Sequence, residues 1–378
     1  MGAQSALSAL LSDIEAGADL ADRVGSVDKE ILRRLHEAGL RFLTSSAADG
    51  ATTMTDLALG ELCARLGRSC TAVRALVTVQ GMVTTAIERW GTSELRERWV
   101  PALTTGSTLG AFCLTEAGAG SDAASVETSL RSTGSGFVLN GRKLWVSFGA
   151  SAELLLVVAR SSEGPVAVLV DANADGVRRE PVAQELLGMR GAAVAHLVFS
   201  DVHLDRAALL GPQTGGLMHV ANTALDYGRY TVAWGCVGLA ERCVEEASRH
   251  ALGRKQFGLV IAEHQLVRRL LTRMLVHVRA ARAACRVAAD ARSTRAPNYP
   301  LESIMAKYVA SRAAVTCASA AIDVCGAVGC TRLLPLERFF RDAKVMQIIE
   351  GTDQISELAI AEIPLQDTLT LFPSDDVG

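Results

Sequence analysis

The chain has 378 residues, 49% hydrophobic and 21% charged, with a formal net charge of −3. That length holds two or three ordinary domains around a sizeable core and excludes wholesale disorder. A chain this near neutrality lacks the strongly basic face that a nucleic-acid partner demands. In chain order, residues 1–108 read as a helical domain: ILRRLHEAGL, LALGELCARLGR, AIERWG and ELRERWVPAL repeat apolar positions every three or four residues. Residues 109–211 change to short β runs, FVLNG, ELLLVVAR, PVAVLVDA and AHLVFSDVHL, parted by Gly, Asn and Asp turns, as in a compact β domain. Residues 212–378 return to long Ala- and Arg-rich helices. RSTRAPNYP at 292–300, with two prolines, predicts a loop between two of them, and the tail after Ile363 reads as loose. The scarcity of aromatics, at 4%, suits close helix–helix packing.

The order helical, β, helical is an α+β arrangement unlike a doubly wound nucleotide-binding sheet. No GxGxxG follows a strand and opens a helix, and there is no P-loop. The nine cysteines form no CxxC pair and sit among apolar residues, which predicts reduced thiols, no metal site and a cytoplasmic setting. The amino terminus lacks a signal-peptide pattern, and no stretch reads as long and apolar enough to span a bilayer.

Six segments carry candidate chemistry. In IIEGTDQ, 348–354, Glu350 lies between apolar residues and Gly351, a placement suited to a desolvated base. The same residues also fit a helix that ends at glycine beside an acid. TEAGAGSDAAS, 115–125, exposes backbone N–H groups around Gly118 and Gly120, or is a plain surface loop. Trp145 and Ser147 offer a flat face and a hydroxyl to a planar heterocycle, or a core indole. Arg254 in GRKQFG suits a phosphate, and Gln256 and Phe257 a ring or ribose; a solvated helix junction is the other reading. His264–Gln265 follow. Asp226 and Arg229 in LDYGR share a helical face, as channel residues or as an intrahelical ion pair.

In their order these segments resemble the acyl-CoA dehydrogenase superfamily of flavoproteins, from about residue 27 to 363. TEAGAGSD is similar to the family's TEPGAGSD, LWVS to its W-I-T segment, and LLGMRG with LVFSDVHL to its β-domain ending. RKQFG…HQ and FFRDAKVMQIIEGTDQI resemble its R-x-x-FG…Q block and its RDAK…EGT-x-Q-I signature. The resemblance implies a helical domain, a β-barrel-like middle domain and a C-terminal four-helix bundle. It also implies FAD, with Glu350 as the base that takes the α-proton of an acyl thioester while the β-hydride goes to flavin. The thioester oxygen is then polarised by the N–H of that Glu and a ribityl hydroxyl. Flavin contacts map onto Phe112, Cys113, Leu114, Thr115, Ser121, Trp145, Ser147, Thr352 and Gln354. A neighbouring subunit supplies Arg254, Gln256, Phe257, Gln265 and the segment around Gly326, so a homodimer or homotetramer is expected. Ser121, Asp226, Arg229 and Gly351 map to the thioester channel, and a flavin electron acceptor is a further expected partner.

Departures from the pattern are Asp323 where Gln is usual, TSSAADGATTM at 44–54 in place of P-E-E-x-G-G, and Glu357 in place of Arg. DYGRYTVAWGCVGL, EHQLV and VQGM at 79–82 resemble a branch acting on acyl groups held by an acyl carrier protein in polyketide pathways, including hydroxymalonyl and methoxymalonyl extender units. Arg268, Arg279, Arg282 and Arg286 fall on one helical stripe that either docks an acidic carrier or is a salt-bridged face. Ordinary fatty or branched-chain acyl-CoA dehydrogenation, a flavin oxidase or monooxygenase, and a non-catalytic partner subunit remain the alternatives.

Overall fold

The computed structural model describes residues 2–38, 54–212 and 215–362. Positions 44–53 of the departing TSSAADGATTM stretch and the tail from Ile363 onward lie outside the described residues. Five helices come first: α1 Gly2–Val24, α2 Glu30–Glu37, α3 Asp56–Ser69, α4 Thr71–Trp90 and α5 Ser93–Thr105. Thr55 caps α3 and Thr92 caps α5, each accepting a backbone N–H at its first turn. Gly106, at φ 75°, ends α5 in the left-handed region.

The strands follow: β1 Gly110–Cys113, β2 Ser129–Ser132, β3 Gly136–Val146, β4 Leu154–Ser161, β5 Gly164–Asp171, β6 Val177–Pro181, β7 Ala195–Asp205 and β8 Leu209–Leu210. They form one mixed sheet in the order β6-β7-β3-β2-β4-β5-β8, with β1 added parallel to β4. β4 is buried from Leu154 to Ala159, which explains its unbroken apolar run.

The C-terminal region is helical: α6 Asn222–Gly253, then the small hairpin β9 Lys255–Gln256 and β10 Leu259–Val260, then α7 Gln265–Ser293, α8 Tyr299–Cys325, α9 Leu336–Met346 and α10 Asp353–Ala361. The loop expected at 292–300 is shorter than its sequence suggests. Arg292 stays helical, and Pro300 sits in the first turn of α8, where it needs no donor.

The membrane expectation needs correcting. Tyr299–Cys330 is long and apolar enough to cross a bilayer by length and composition. Its apolarity has another cause here: α8 packs on α6 and α7 and buries Ala306, Lys307, Ala310, Ala314 and Cys317.

α4 holds the three zones together and is buried almost all round. Gln80 donates to the carbonyls of Leu103 and Thr108, both at 2.7 Å, and accepts the N–H of Gly110 at 2.9 Å. A Cβ on Gly81 would lie 2.2 Å from the Tyr227 ring, so only glycine lets α4 approach α6 here. Thr71 at its head bonds Asp342 of α9, which also accepts the N–H of Met189 at 2.7 Å. Arg341 beside it pairs with Asp22 at 2.9 Å and donates to the Leu187 carbonyl at 3.0 Å. The RDAK motif therefore clasps α1, α4 and the connection between β6 and β7.

Candidate active site

Glu350 follows α9 and precedes α10. Its backbone sits in the left-handed region at φ 56°, and Gly351 follows at φ 98°. A non-glycine residue held there costs about 1–3 kcal/mol and persists only where its surroundings impose it. Two cations do so. Arg229 Nε donates to the Glu350 carbonyl at 3.0 Å, and Lys307 Nζ donates to the Gly351 carbonyl at 2.7 Å. Thr352 then caps α10 by accepting the N–H of Ile355, while Asp353 turns inward to Ser311 and Gln347.

The Glu350 side chain accepts no hydrogen bond among the described residues. Its carboxyl presses on α6, where a Cβ on Gly228 would lie 2.8 Å from its Cδ and 3.1 Å from Met82 Sδ. The residue keeps some accessible surface, but its carboxyl is crowded by protein. Burial pushes its pKa up to about 6, against the opposing charges of Arg229, Arg74 and Lys307. A carboxylate tuned to this range, with no fixed partner, is equipped to take a proton from carbon.

Met82 and Val83 are consecutive on α4. Met82 touches the Glu350 side of the site, and Val83 lies 3.1 Å from where a Cβ on Gly110 would stand. One helix thus sets the acid beside the strand that leads into TEAGAGSD. Beyond it, Phe112, Leu114 and Thr115 are half-buried and Ser121 is exposed. Cys113 is fully buried, and burial pushes its thiol up to about 12, so it offers a ligand only its backbone. Trp145 is 50% exposed at φ 56°, its backbone N–H donated to His196 at 3.1 Å. Ser147 is half-buried two residues on. An exposed indole face beside hydroxyls and a Gly-rich turn fits a flavin.

The anchor of this segment is a buried ion pair that sequence reasoning passed over. Lys143 Nζ meets Glu116 at 2.5 Å and the Leu114 carbonyl at 2.9 Å. Glu116 also accepts the N–H of Glu127 at 2.6 Å and of Thr128 at 3.0 Å. Burial works to raise the Glu116 pKa, but these donors hold it below the usual carboxylate value.

Asp226 and Arg229 do not pair with each other. Asp226 is held by Arg292, which also reaches Asp56 at 3.1 Å and lies over Tyr230 and Tyr299. Arg282 is likewise engaged within the chain, by Glu61 at 2.5 Å and Glu241 at 2.9 Å, so it leaves the proposed carrier-docking stripe; Arg268, Arg279 and Arg286 stay exposed.

Arg254, Gln256, Phe257 and Gln265 line a second, separate depression of about 600 Å³ with His264 and Val324. Phe257 is 94% exposed. Gly326, at φ 62°, and Asp323 are exposed nearby in sequence. No hydrogen bond or ion pair among the described residues joins this patch to the Glu350 loop. Gln354 is exposed, and Glu357, also exposed, accepts the Tyr308 hydroxyl at 2.8 Å. No cluster of metal-ligating side chains exists among the described residues.

Comparison with known proteins finds matches to all three zones of the chain. Residues 4–107 match the acyl-CoA dehydrogenase N-terminal domain, 111–202 its middle domain and 216–364 its C-terminal domain. Acryloyl-CoA reductase (NADH) of Anaerotignum propionicum is 32% identical over 360 residues, covering 92% of this chain and 90% of its own. FkbI, solved for biosynthesis of the methoxymalonyl extender unit of the polyketide Fk520, is 32% identical with a TM-score of 0.86, covering 96% of this chain and 99% of its own. The prolyl acyl carrier protein oxidase AnaB is 26% identical with a TM-score of 0.85, covering 93% and 97%.

Proposed function

The chain belongs to the acyl-CoA dehydrogenase family, FAD-dependent oxidoreductases of acyl thioesters, and on that footing we propose that it oxidises a short acyl group carried by an acyl carrier protein in polyketide or other secondary-metabolite biosynthesis. The observation that carries the reading is Glu350: a carboxylate tuned to about 6, without a hydrogen-bond partner, on a backbone clamped by Arg229 and Lys307.

In this reading Glu350 removes the α-proton, and its own backbone N–H faces the thioester oxygen as enolate charge develops. Arg229 and Lys307 occupy the two neighbouring carbonyls, which fixes the orientation of that N–H. Bound FAD supplies the acceptor for the two electrons and hydrogen that leave the β-carbon. Phe112, Leu114, Thr115, Ser121, Trp145, Ser147, Thr352 and Gln354 would hold it. A second copy would add Arg254, Gln256, Phe257, Gln265 and the turn at Gly326, so the working form is at least a homodimer. The cell compartment proposed is the cytoplasm.

The carrier-linked branch rests on the likeness over nearly the whole chain to FkbI, of methoxymalonyl extender-unit biosynthesis, and to the prolyl acyl carrier protein oxidase AnaB. The internal pairing of Arg282 favours a second reading, a CoA-linked dehydrogenase, by shortening the basic stripe. The test is anaerobic mixing of the yellow holoprotein with neutral and ω-carboxylated C3–C5 thioesters, on CoA and on carrier. Faster bleaching of the flavin band from the carrier supports the proposal, and equal bleaching from CoA favours the second reading. No bleaching from either defeats both. Rapid oxygen uptake with peroxide would mark an oxidase.

A further inference from the structure

β3 and β7 fall out of register at one point. Lys143 pairs with Leu197 and Val146 with Ala195, so Leu144 and Trp145 together stand against His196. Two residues against one make a β-bulge, which re-aims a side chain and takes a backbone group out of the ladder. Leu144 N–H donates to the Thr115 carbonyl at 2.8 Å. Trp145 N–H donates to a side chain, Nδ1 of His196, at 3.1 Å. The same imidazole meets the indole edge to face, with ring centroids 4.9 Å apart and planes at 88°. Trp145 is half exposed and its φ is 56°. A bulky residue in that region is strained, and such strain collects where a side chain is aimed at a ligand.

Accepting at Nδ1 fixes the protonation state of His196. The ring must be neutral, with its proton on Nε2. A charged imidazole has two donors and no acceptor, so N–H would meet N–H and the bond to Trp145 would break. Charged neighbours come from both flanking strands. Glu180 of β6 pairs with His196 across the sheet, and Arg142 of β3 meets Glu180 at 2.8 Å. Arg178 takes the other Glu180 oxygen at 2.9 Å. Burial of the ring and the charge of Arg142 hold the His196 pKa below the ordinary histidine value, against the pull of Glu180.

We propose, resting on the flavin reading above, that His196 is a positioning residue for the cofactor: its neutral ring clamps Trp145 so that the exposed indole meets bound FAD, and protonation of the ring releases the indole and loosens the flavin. A backbone acceptor would hold the bulge at every pH. An imidazole holds it only while unprotonated, which ties the flavin site to the proton concentration.

The test uses the holoprotein as wild type, His196→Asn and His196→Phe. Asn keeps an acceptor oxygen at the position of Nδ1 and does not titrate; Phe keeps a ring and removes the acceptor. Two quantities are read: amide exchange of residues 144–147 by mass spectrometry, and the FAD dissociation constant from flavin fluorescence. At about pH 7.5 His196→Phe should speed exchange and weaken FAD about three- to tenfold, while His196→Asn stays within about twofold of wild type. Acidification to about pH 5 should loosen the wild type in both readouts and leave His196→Asn within about twofold of its neutral values. Unchanged far-UV circular dichroism confirms that the variants fold; should His196→Phe not fold, the acid responses of wild type and His196→Asn decide. A His196→Phe protein as tight as wild type, a His196→Asn protein as loose as His196→Phe, or equal acid responses in wild type and His196→Asn overturns the proposal. Faster exchange with unchanged FAD affinity overturns it too, and each of these leaves the flavin reading intact. A protein that takes up no FAD overturns the flavin reading itself, whatever the exchange rates show.

Discussion

Glu350 is proposed as the base because its folding environment places it near neutrality while leaving its oxygens unshared. Burial raises the carboxyl and three cations pull it back, Arg229 foremost. Only the ionised form accepts a proton, so flavin reduction should rise with pH through about 6 and level off above it. Stopped-flow rates from pH 5 to 8 check this; a flat profile would remove Glu350 from the proton transfer. Glu350→Gln should retain bound FAD yet lose about a hundred- to ten-thousand-fold in reduction rate, the range for general-base loss. Arg229→Met removes the largest of the opposing charges and the donor to the Glu350 carbonyl. It should move the midpoint of the pH profile above about 6 and lower the plateau. The acid was readable in the sequence because a carboxylate between apolar residues and glycine is a poor surface charge. Lys307 was not readable: a lone Lys in an Ala-rich helix says nothing of a carbonyl 44 residues away.

Single elements carry their placement through few contacts. The segment between β1 and β3, proposed to hold the flavin, depends on Lys143 and Glu116, whose side chains are 0% and 7% exposed. Lys143→Met strands a buried carboxylate and should cost about 3–5 kcal/mol. Adding Glu116→Gln should recover part of that. Denaturant unfolding of both singles and the double measures the coupling, and full additivity would mean that the pair does not act as a unit. Periodicity revealed β3, β4, β5 and β7 and the helices α2 to α5 as types of element. It could not reveal that Arg292, placed in a loop by its neighbouring prolines, stays helical to hold Asp226 and Asp56. Nor could it reveal that Gly81 is small because Tyr227 lies against it. Both facts arise from contacts between segments distant in the chain.

For the whole molecule the open question is assembly. Phe257 stands 94% exposed beside a depression lined by Arg254, Gln256 and Gln265. A large aromatic left in water next to polar donors suits an interface that one copy completes for another. Phe257→Ser should leave the helical circular dichroism intact, reduce the mass in light scattering, and lower the FAD retained on gel filtration. A variant that keeps both its mass and its flavin would show that this patch is not the shared site.

The sequence alone determined the helical, β, helical order and the family, because apolar spacing and five ordered motifs survive without knowledge of contacts. It also exposed the acid at 350. Only the tertiary structure decided which charges are paired and which stand alone. Asp226 and Arg229, neighbours on one helix, take different partners, and Arg282 leaves its stripe for Glu61 and Glu241. The physical reason is that the cost of a charge depends on its distance from water and from its counter-charge, and the packing of remote segments sets both distances.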